Sequence, residues 1–421
     1  MPMINIFIFL AGLAVYASYG LSGLCYLAIA TLLSYGIALL TPRMRPIMWV
    51  SVVANVLMLV LLKLQPVTGM ELPAVMGVSY FSLQLISYNV DVWKEKYPPE
   101  RNLYRFALFV TYLPHLFIGP IERYDQFAPN MFQNRRMTID GFYHGGMRAL
   151  WGLLKKMVIA SRLGVIIGAI SAQPQNFTGA YALAAMLLYS LQLYSDFSGG
   201  MDMVLGISQM LGMPLSENFD TPYFSRSFQE FWRRWHITLG AWLRDYVYIP
   251  LGGSRKGKLR KYLNTVITFL VSGLWHGIQY LLWGLFNGIF VCFGSRLQTK
   301  WKTLDRVGTF LLICLLWSFF IWPDAMTALK MIGSVFTTFN YHAFFATLGT
   351  LGLTMADWII LGAALLLLWG HDLWHRVLWQ WFDRRHVAVR TALVCTLALL
   401  VMLFGMYGIG FHAEDFIYSR F

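Results

Sequence analysis

Residues 257–295 read GKLRKYLNTVITFLVSGLWHGIQYLLWGLFNGIFVCFGS, and the run Leu263–Ser295 within them carries no Asp, Glu, Lys or Arg. Ahead of it, residues 226–261 hold nine Lys/Arg against Glu230 and Asp245; behind it, residues 296–306 hold four Lys/Arg against Asp305. Loops rich in Lys and Arg stay on the cytoplasmic side of a membrane. Both flanks are expected there, so the apolar run between them crosses an even number of times. Two short helices, or one re-entrant hairpin, satisfy that.

The pattern extends outward. Met1–Pro42 has no charged residue, room for two crossings at about 20 residues each. Further uncharged runs are Pro46–Leu62, Leu72–Val90, Leu163–Ser195, Val307–Pro323, Met331–Ala356 and Thr391–Ala413. Together they predict an all-α polytopic membrane protein of roughly ten to twelve embedded helices, with amphipathic helices at the interface. The alternating short strands of a membrane barrel are missing. No repeat or low-complexity linker divides the chain, so residues 1–421 read as a single membrane domain. Hydrophobic residues reach 57% and charged ones only 13%, too few to cover a soluble protein of this size. Mean hydropathy is +0.55. The net charge of +13 is explained by cytoplasmic loops, with no nucleic-acid partner needed. Cys25, Cys292, Cys314 and Cys395 form no CxxC pair and read as small buried hydrophobes. The N-terminus lacks a basic n-region and a second apolar run follows the first, so a cleaved signal peptide is not expected.

Between Ser225 and Tyr248, Phe228, Phe231, Trp232, Trp235, Leu239, Trp242 and Tyr246 recur at three- and four-residue steps. That spacing predicts one helix with an aromatic stripe, lying in the membrane interface with its apolar face down. The competing reading packs the stripe on the protein itself.

Ionisable groups inside apolar runs are costly and mark function. His276 lies about fourteen residues into such a run, roughly 20 Å along a helix, between Gly273 and Gly277. A neutral imidazole there can serve as a general base, or can simply hydrogen-bond two helices together. His236 sits beside Arg233 and Arg234 on the aromatic segment, either as polar-face residue or as a second polar group at the mouth of a site. The two arginines suit an anionic substrate or lipid headgroup. Asp196 and Asp202 flank Gly199-Gly200, which reads as a helix break; six residues apart, the carboxylates do not share a helix face, and pairing with Arg is expected for each. His371 and His375 have i, i+4 spacing, but Asp372 stands where a zinc protease needs Glu, and no third ligand is evident, so no metal is expected. Gly252–Leu259 nearly spells a phosphate loop but ends in Leu259, and reads as a basic turn. No GxSxG elbow occurs.

Several of these segments carry a resemblance. Gln192–Gly199, Ser216–Tyr223, Phe231–Leu239, Leu243–Gly253 and Gly273–Gly277, in that order, resemble the membrane-bound O-acyltransferase family. Ser79–Trp93, Gly119–Arg123 and the ending Phe416–Phe421 resemble its bacterial alginate O-acetyltransferase branch, with the D-alanyl-transferring relatives next. The resemblance implies a ring of helices around a central funnel. It implies that His276 is the catalytic histidine and His236 the second histidine of the branch. Asp196, Arg233, Arg234, Asn264 and Trp275 would support the site. No bound cofactor is implied; the donor would be acetyl-CoA, or a charged acyl-carrier protein, on the cytoplasmic side. The acceptor would be a cell-envelope polysaccharide, reached directly or through an extracytoplasmic partner transferase, with lipids of the cytoplasmic membrane around the chain. Acyl transfer needs a base for the hydroxyl proton and donors for the oxyanion, for which Asn264 and a backbone amide near Gly277 are the expected groups. A transporter shares the broken helices and intramembrane polar groups and is the rival reading; a scaffold for an envelope complex is the third.

Overall fold

The computed structural model describes residues 2–69, 75, 77–116, 118–132, 135–294 and 298–407; the motif Phe416–Phe421 lies outside them. The described chain is helical, with one isolated bridge, Phe219 to Trp235, in place of any sheet. The first helices are α1 (Pro2–Ser18), α2 (Leu21–Leu40), α3 (Met48–Thr68), α4 (Val78–Trp93), α5 (Leu103–Thr111), α6 (Leu113–Leu116) and α7 (Tyr124–Phe132). Next come α8 (Ile139–Leu154), α9 (Ser161–Ser171), α10 (Ala180–Met210), α11 (Phe228–Arg234), α12 (Ile237–Leu243), α13 (Gly257–His276) and α14 (Leu281–Phe293). The last are α15 (Lys302–Ile321), α16 (Ala325–Thr337), α17 (Tyr341–Thr347), α18 (Met355–Asp383) and α19 (Val387–Phe404).

Among the described residues, five helices are long and apolar enough to cross a membrane: Leu21–Leu40, Arg45–Gln65, Lys302–Ile321, Met355–Asp383 and Val387–Phe404. Within that run the described residues 263–293 fold as the antiparallel pair α13 and α14, turning at Gly277–Tyr280. Gly273 and Gly284 let the two backbones meet, since a Cβ on either would fall under 3.0 Å from a carbonyl oxygen of the partner segment. Two cysteines depart from expectation. Cys292 and Cys314 are buried, but Cys25 and Cys395 are exposed on apolar helices, where a small thiol suits a surface of this composition.

Three further expectations are corrected. First, Gly199-Gly200 does not break a helix; α10 runs unbroken through both. A glycine in a helix costs about 1 kcal/mol, and close packing offsets it here. Gly199 and Gly206 meet Gly152 and Gly145 of α8, each with room for no Cβ. Second, the aspartates of α10 take mixed partners. Asp202 binds both Arg148 at 2.9 Å and Lys155 at 2.7 Å, whereas Asp196 pairs with Lys156 at 2.6 Å, not with an arginine. A π-helical turn at Lys155–Ala160 sets both lysines against α10.

Third, the aromatic stripe is not one helix on the membrane surface. It is two short helices, α11 and α12, with their apolar residues turned into the protein. Phe228, Phe231, Trp235, Leu239 and Trp242 are all buried. The division has a local cause. Residues 218–220 run antiparallel to 234–237: Asp220 N–H donates to the Arg234 carbonyl at 3.0 Å, and Ile237 N–H donates to that of Asn218 at 3.1 Å. His236, between them, is forced to a left-handed φ of 47°, which a helix cannot accommodate.

Segments far apart in sequence brace this region. Ser216 N–H and its hydroxyl donate to the Glu122 carboxylate at 2.6 and 3.1 Å. Burial lifts the Glu122 carboxyl to about 7, against the lowering by those hydrogen bonds. Arg123 stacks over Tyr246 at 4.4 Å and faces Asp245 at 3.6 Å.

The glycine contact between α8 and α10 gives a direct test. Gly206→Ala must push the helices apart and should cost about 1–3 kcal/mol, read as a lower melting temperature in detergent. Gly168→Ala, where a Cβ meets nothing within 4 Å, should melt with the parent or above it. Equal melting of the two variants would contradict the packing described.

Candidate active site

α13 ends at His276, and the sharp turn at Gly277, with φ 148°, leaves the imidazole against aromatic rings on every flank. Trp275 lies 4.7 Å away between ring centroids, Trp283 and Phe320 each 5.5 Å, and all three meet it edge-on. His236 approaches from the α11–α12 junction, edge-on to Phe197 at 4.9 Å and to Trp275 at 6.1 Å. The Trp275 indole therefore touches both histidines. Its N–H reaches the Ser79 carbonyl of α4 at 3.4 Å, and its ring meets Tyr80. Both histidines are buried, at 3% and 7% exposure for His236 and His276.

They share one small cavity of ≈ 20 Å³, walled by Ser272, Trp283, Trp317 and Phe320 among others. That is room for about one water. Phe320 also stacks on Tyr280, 4.2 Å between centroids, and the two rings form a wall. Beyond it lies an open pocket of ≈ 390 Å³ lined by Gln279, Tyr280, Trp322 and Asp324. A buried imidazole pair next to an open, polar-edged pocket suits a reaction that must be kept from bulk water until a substrate enters.

Trp232, Trp235 and Leu239 of the aromatic stripe also line this cavity, whereas Asn264, Asp196, Arg233, Arg234, His371 and His375 do not. Asn264 sits twelve residues before His276 on α13, about 18 Å along the helix. Its amide donates to the Leu251 and Gly253 carbonyls at 3.3 and 2.9 Å, pinning the glycine turn that precedes α13. It cannot be an oxyanion donor at His276. Nor can the Gly277 amide, which closes onto the Gly273 carbonyl at 3.0 Å. Asp196 is held by Lys156. Arg234 binds Glu230 at 2.7 Å, and Arg233 points out from α11, exposed. His371 and His375 face the carboxylates of Asp372 at 3.2 Å and Asp220 at 3.9 Å.

Four participants escaped the sequence reading. Asn218 holds His236 through its side chain, Nδ1 to Oδ1 3.3 Å; its place inside Ser216–Tyr223 was the available signal. Trp283 is fully buried, and its indole N–H has no acceptor among the described residues. Phe320 separates cavity from pocket. Lys63, just past the uncharged run of α3, lies within electrostatic reach of His276.

Comparison with known proteins gives the family. The sequence model described as MBOAT, membrane-bound O-acyltransferase family, matches residues 100–338, more than half of the chain. The chain is similar to the protein named "Probable alginate O-acetylase AlgI" of Pseudomonas fluorescens, 38% identical over 351 residues, covering 79% of this chain and 70% of that protein. It is similar to the peptidoglycan O-acetyltransferase of Helicobacter pylori, 33% identical over 299 residues, covering 61% and 56%. It is 30% identical over 268 residues to the teichoic acid D-alanyltransferase of Streptococcus thermophilus, covering 60% and 64%. The matched region contains both histidines and the segments that brace them: the chain belongs to the membrane-bound O-acyltransferase family.

Proposed function

We propose that this chain transfers an acyl group, most simply acetyl, from a cytoplasmic thioester to a hydroxyl of a cell-envelope polysaccharide, directly or through a partner transferase, in the cytoplasmic membrane. The observation that carries this reading is the meeting of His236 and His276 in one small cavity, inside the region matched to the family. The similarity to an alginate O-acetylase and a peptidoglycan O-acetyltransferase supports acetyl and a polysaccharide. Acetyl-CoA is the donor proposed; the D-alanyltransferase relatives make a charged carrier protein the alternative.

The chemistry follows from the residues present. A hydroxyl oxygen attacks the thioester carbonyl while His276 takes the hydroxyl proton. The carbonyl oxygen becomes an oxyanion, and the Trp283 N–H is the donor proposed for it. The intermediate collapses, the carbon–sulfur bond breaks, and the thiolate recovers the proton from the imidazolium. General base catalysis of this kind contributes about 10²–10⁴ in rate. So small a cavity admits little water and limits hydrolysis of the thioester.

The chain's direction supports a reading of the two mouths. α13 and α15 both leave loops rich in Lys and Arg, the side that charge bias makes cytoplasmic. Both end at the far side, at His276 and Phe320. The open pocket beside Trp322 and Asp324 is then the acceptor's approach, and Phe320 with Tyr280 the wall it must displace.

Two substitutions test this. His276→Ala should lower acetyl transfer by about 10²-fold or more, with the protein still inserting in membranes and melting near the parent. Transfer near the parent rate would sink the assignment. Trp283→Phe keeps the ring and removes the N–H; kcat should fall by about 10²–10³ while KM holds. An unchanged kcat would remove Trp283 from the oxyanion site.

A further inference from the structure

We infer that Asn218 is a positioning residue that decides which nitrogen of His236 can gain and lose a proton, leaving Nε2 as the atom that works in the cavity. The inference rests on the acyl-transfer reading for its consequence and on the hydrogen bonds around Asn218 for its geometry.

Asn218 is 1% exposed, and every polar atom of its side chain is engaged. Its Oδ1 lies 3.0 Å from Thr238 N, 3.0 Å from Thr238 Oγ1 and 3.3 Å from His236 Nδ1. The two ends of an amide side chain are easily confused, but a backbone N–H can only donate. The atom facing Thr238 N is therefore the carbonyl oxygen. The Thr238 hydroxyl agrees: it accepts from Ile121 N–H at 3.1 Å, so its own hydrogen is directed to Oδ1. The amide nitrogen turns the other way, to Met201 Sδ at 3.5 Å.

With Oδ1 fixed as an acceptor, His236 Nδ1 must carry a hydrogen. A neutral imidazole carries one, so its lone pair is on Nε2. If the ring gains a second proton, Nδ1–H remains where it was, and Nε2 is the atom that changes. Asn218 thus confines proton exchange to Nε2.

The backbone reinforces the side chain. The carbonyl of the same Asn218 accepts from Ile237 N–H at 3.1 Å, while His236 is held at φ 47°. A left-handed, non-glycine residue is strained and persists where its surroundings over-determine it. One residue, through its carbonyl and its side chain, grips the peptide on the C-terminal side of His236 and the ring itself. The Asn218 segment is anchored in turn through Ser216 to Glu122. Across the ring, Phe197 and Trp275 set its plane without offering a competing acceptor from their rings.

The test reads the tautomer directly. Full-length protein labelled with ¹⁵N-histidine, with His236→Gln used to assign the signal, should show His236 protonated on Nδ1. Asn218→Asp keeps an acceptor at the same place and should keep that signature. Asn218→Leu removes the acceptor; the Nδ1–H signature should be lost and kcat should fall by about tenfold or more, with KM for the donor little changed. If Asn218→Leu does not fold, the parent and Asn218→Asp spectra decide. A parent signal protonated on Nε2 alone, or a folded Asn218→Leu with the Nδ1–H signature and full kcat, overturns the proposal. The spectrum needs no turnover, so a failure of the acyl-transfer reading in the His276→Ala assay is distinguishable from a failure here.

Discussion

Two backbone hydrogen bonds, Asp220 N–H to the Arg234 carbonyl and Ile237 N–H to the Asn218 carbonyl, hold the site together. They interrupt what the residue spacing alone would make a single helix. Without the interruption, His236 would ride on a continuous helical face, beside arginines. With it, the ring is turned into the core, within reach of Trp275 and Asn218. The aromatic residues on either side then bury themselves around it, and burial of that much ring surface stabilises the strained junction. A large apolar side chain contributes about 1.5–3 kcal/mol when buried, enough for Phe231 and Trp235 to offset the left-handed residue between the helices.

A second constraint lies behind the first. α8 and α10 approach at glycines, and between them sit Arg148, Lys155, Lys156, Asp196 and Asp202. In a chain with so few charges, these are bolts of fixed geometry. Asp202 is shared by Arg148 and Lys155, so the two ion pairs lock α10 to α8 and the turn after it. Their effect on His236 is mechanical: α10 carries Phe197, which packs on the His236 ring, and Met201, which meets the Asn218 amide.

Much of this was legible in the sequence. Charge on both sides of 263–295 required a hairpin, and α13 with α14 is one. The scarcity of ionisable groups singled out His276. The helix rise alone places Asn264 too far from His276 to assist it, an inference the sequence allowed. Other features were hidden for physical reasons. An aromatic stripe has the same period whether it faces lipid or protein, so the burial of Trp235 and His236 was not readable. A glycine pair looks the same as a break and as a close helix contact, and only the partner Gly152 on α8 decides. Trp283 and Phe320 belong to the site through tertiary packing, in a chain where aromatic residues are common everywhere. Asn218 was quoted as part of a motif, but its role depends on Thr238 and Ile121, which no spacing brings beside it.

The central claim is that acyl transfer happens in the cavity shared by His236 and His276. A structure of the protein with a thioether analogue of acetyl-CoA that carries a ketone in place of the thioester tests it most directly. The account predicts the ketone carbon between the two imidazoles and its oxygen toward the Trp283 N–H. An analogue bound with its ketone outside that cavity would contradict it.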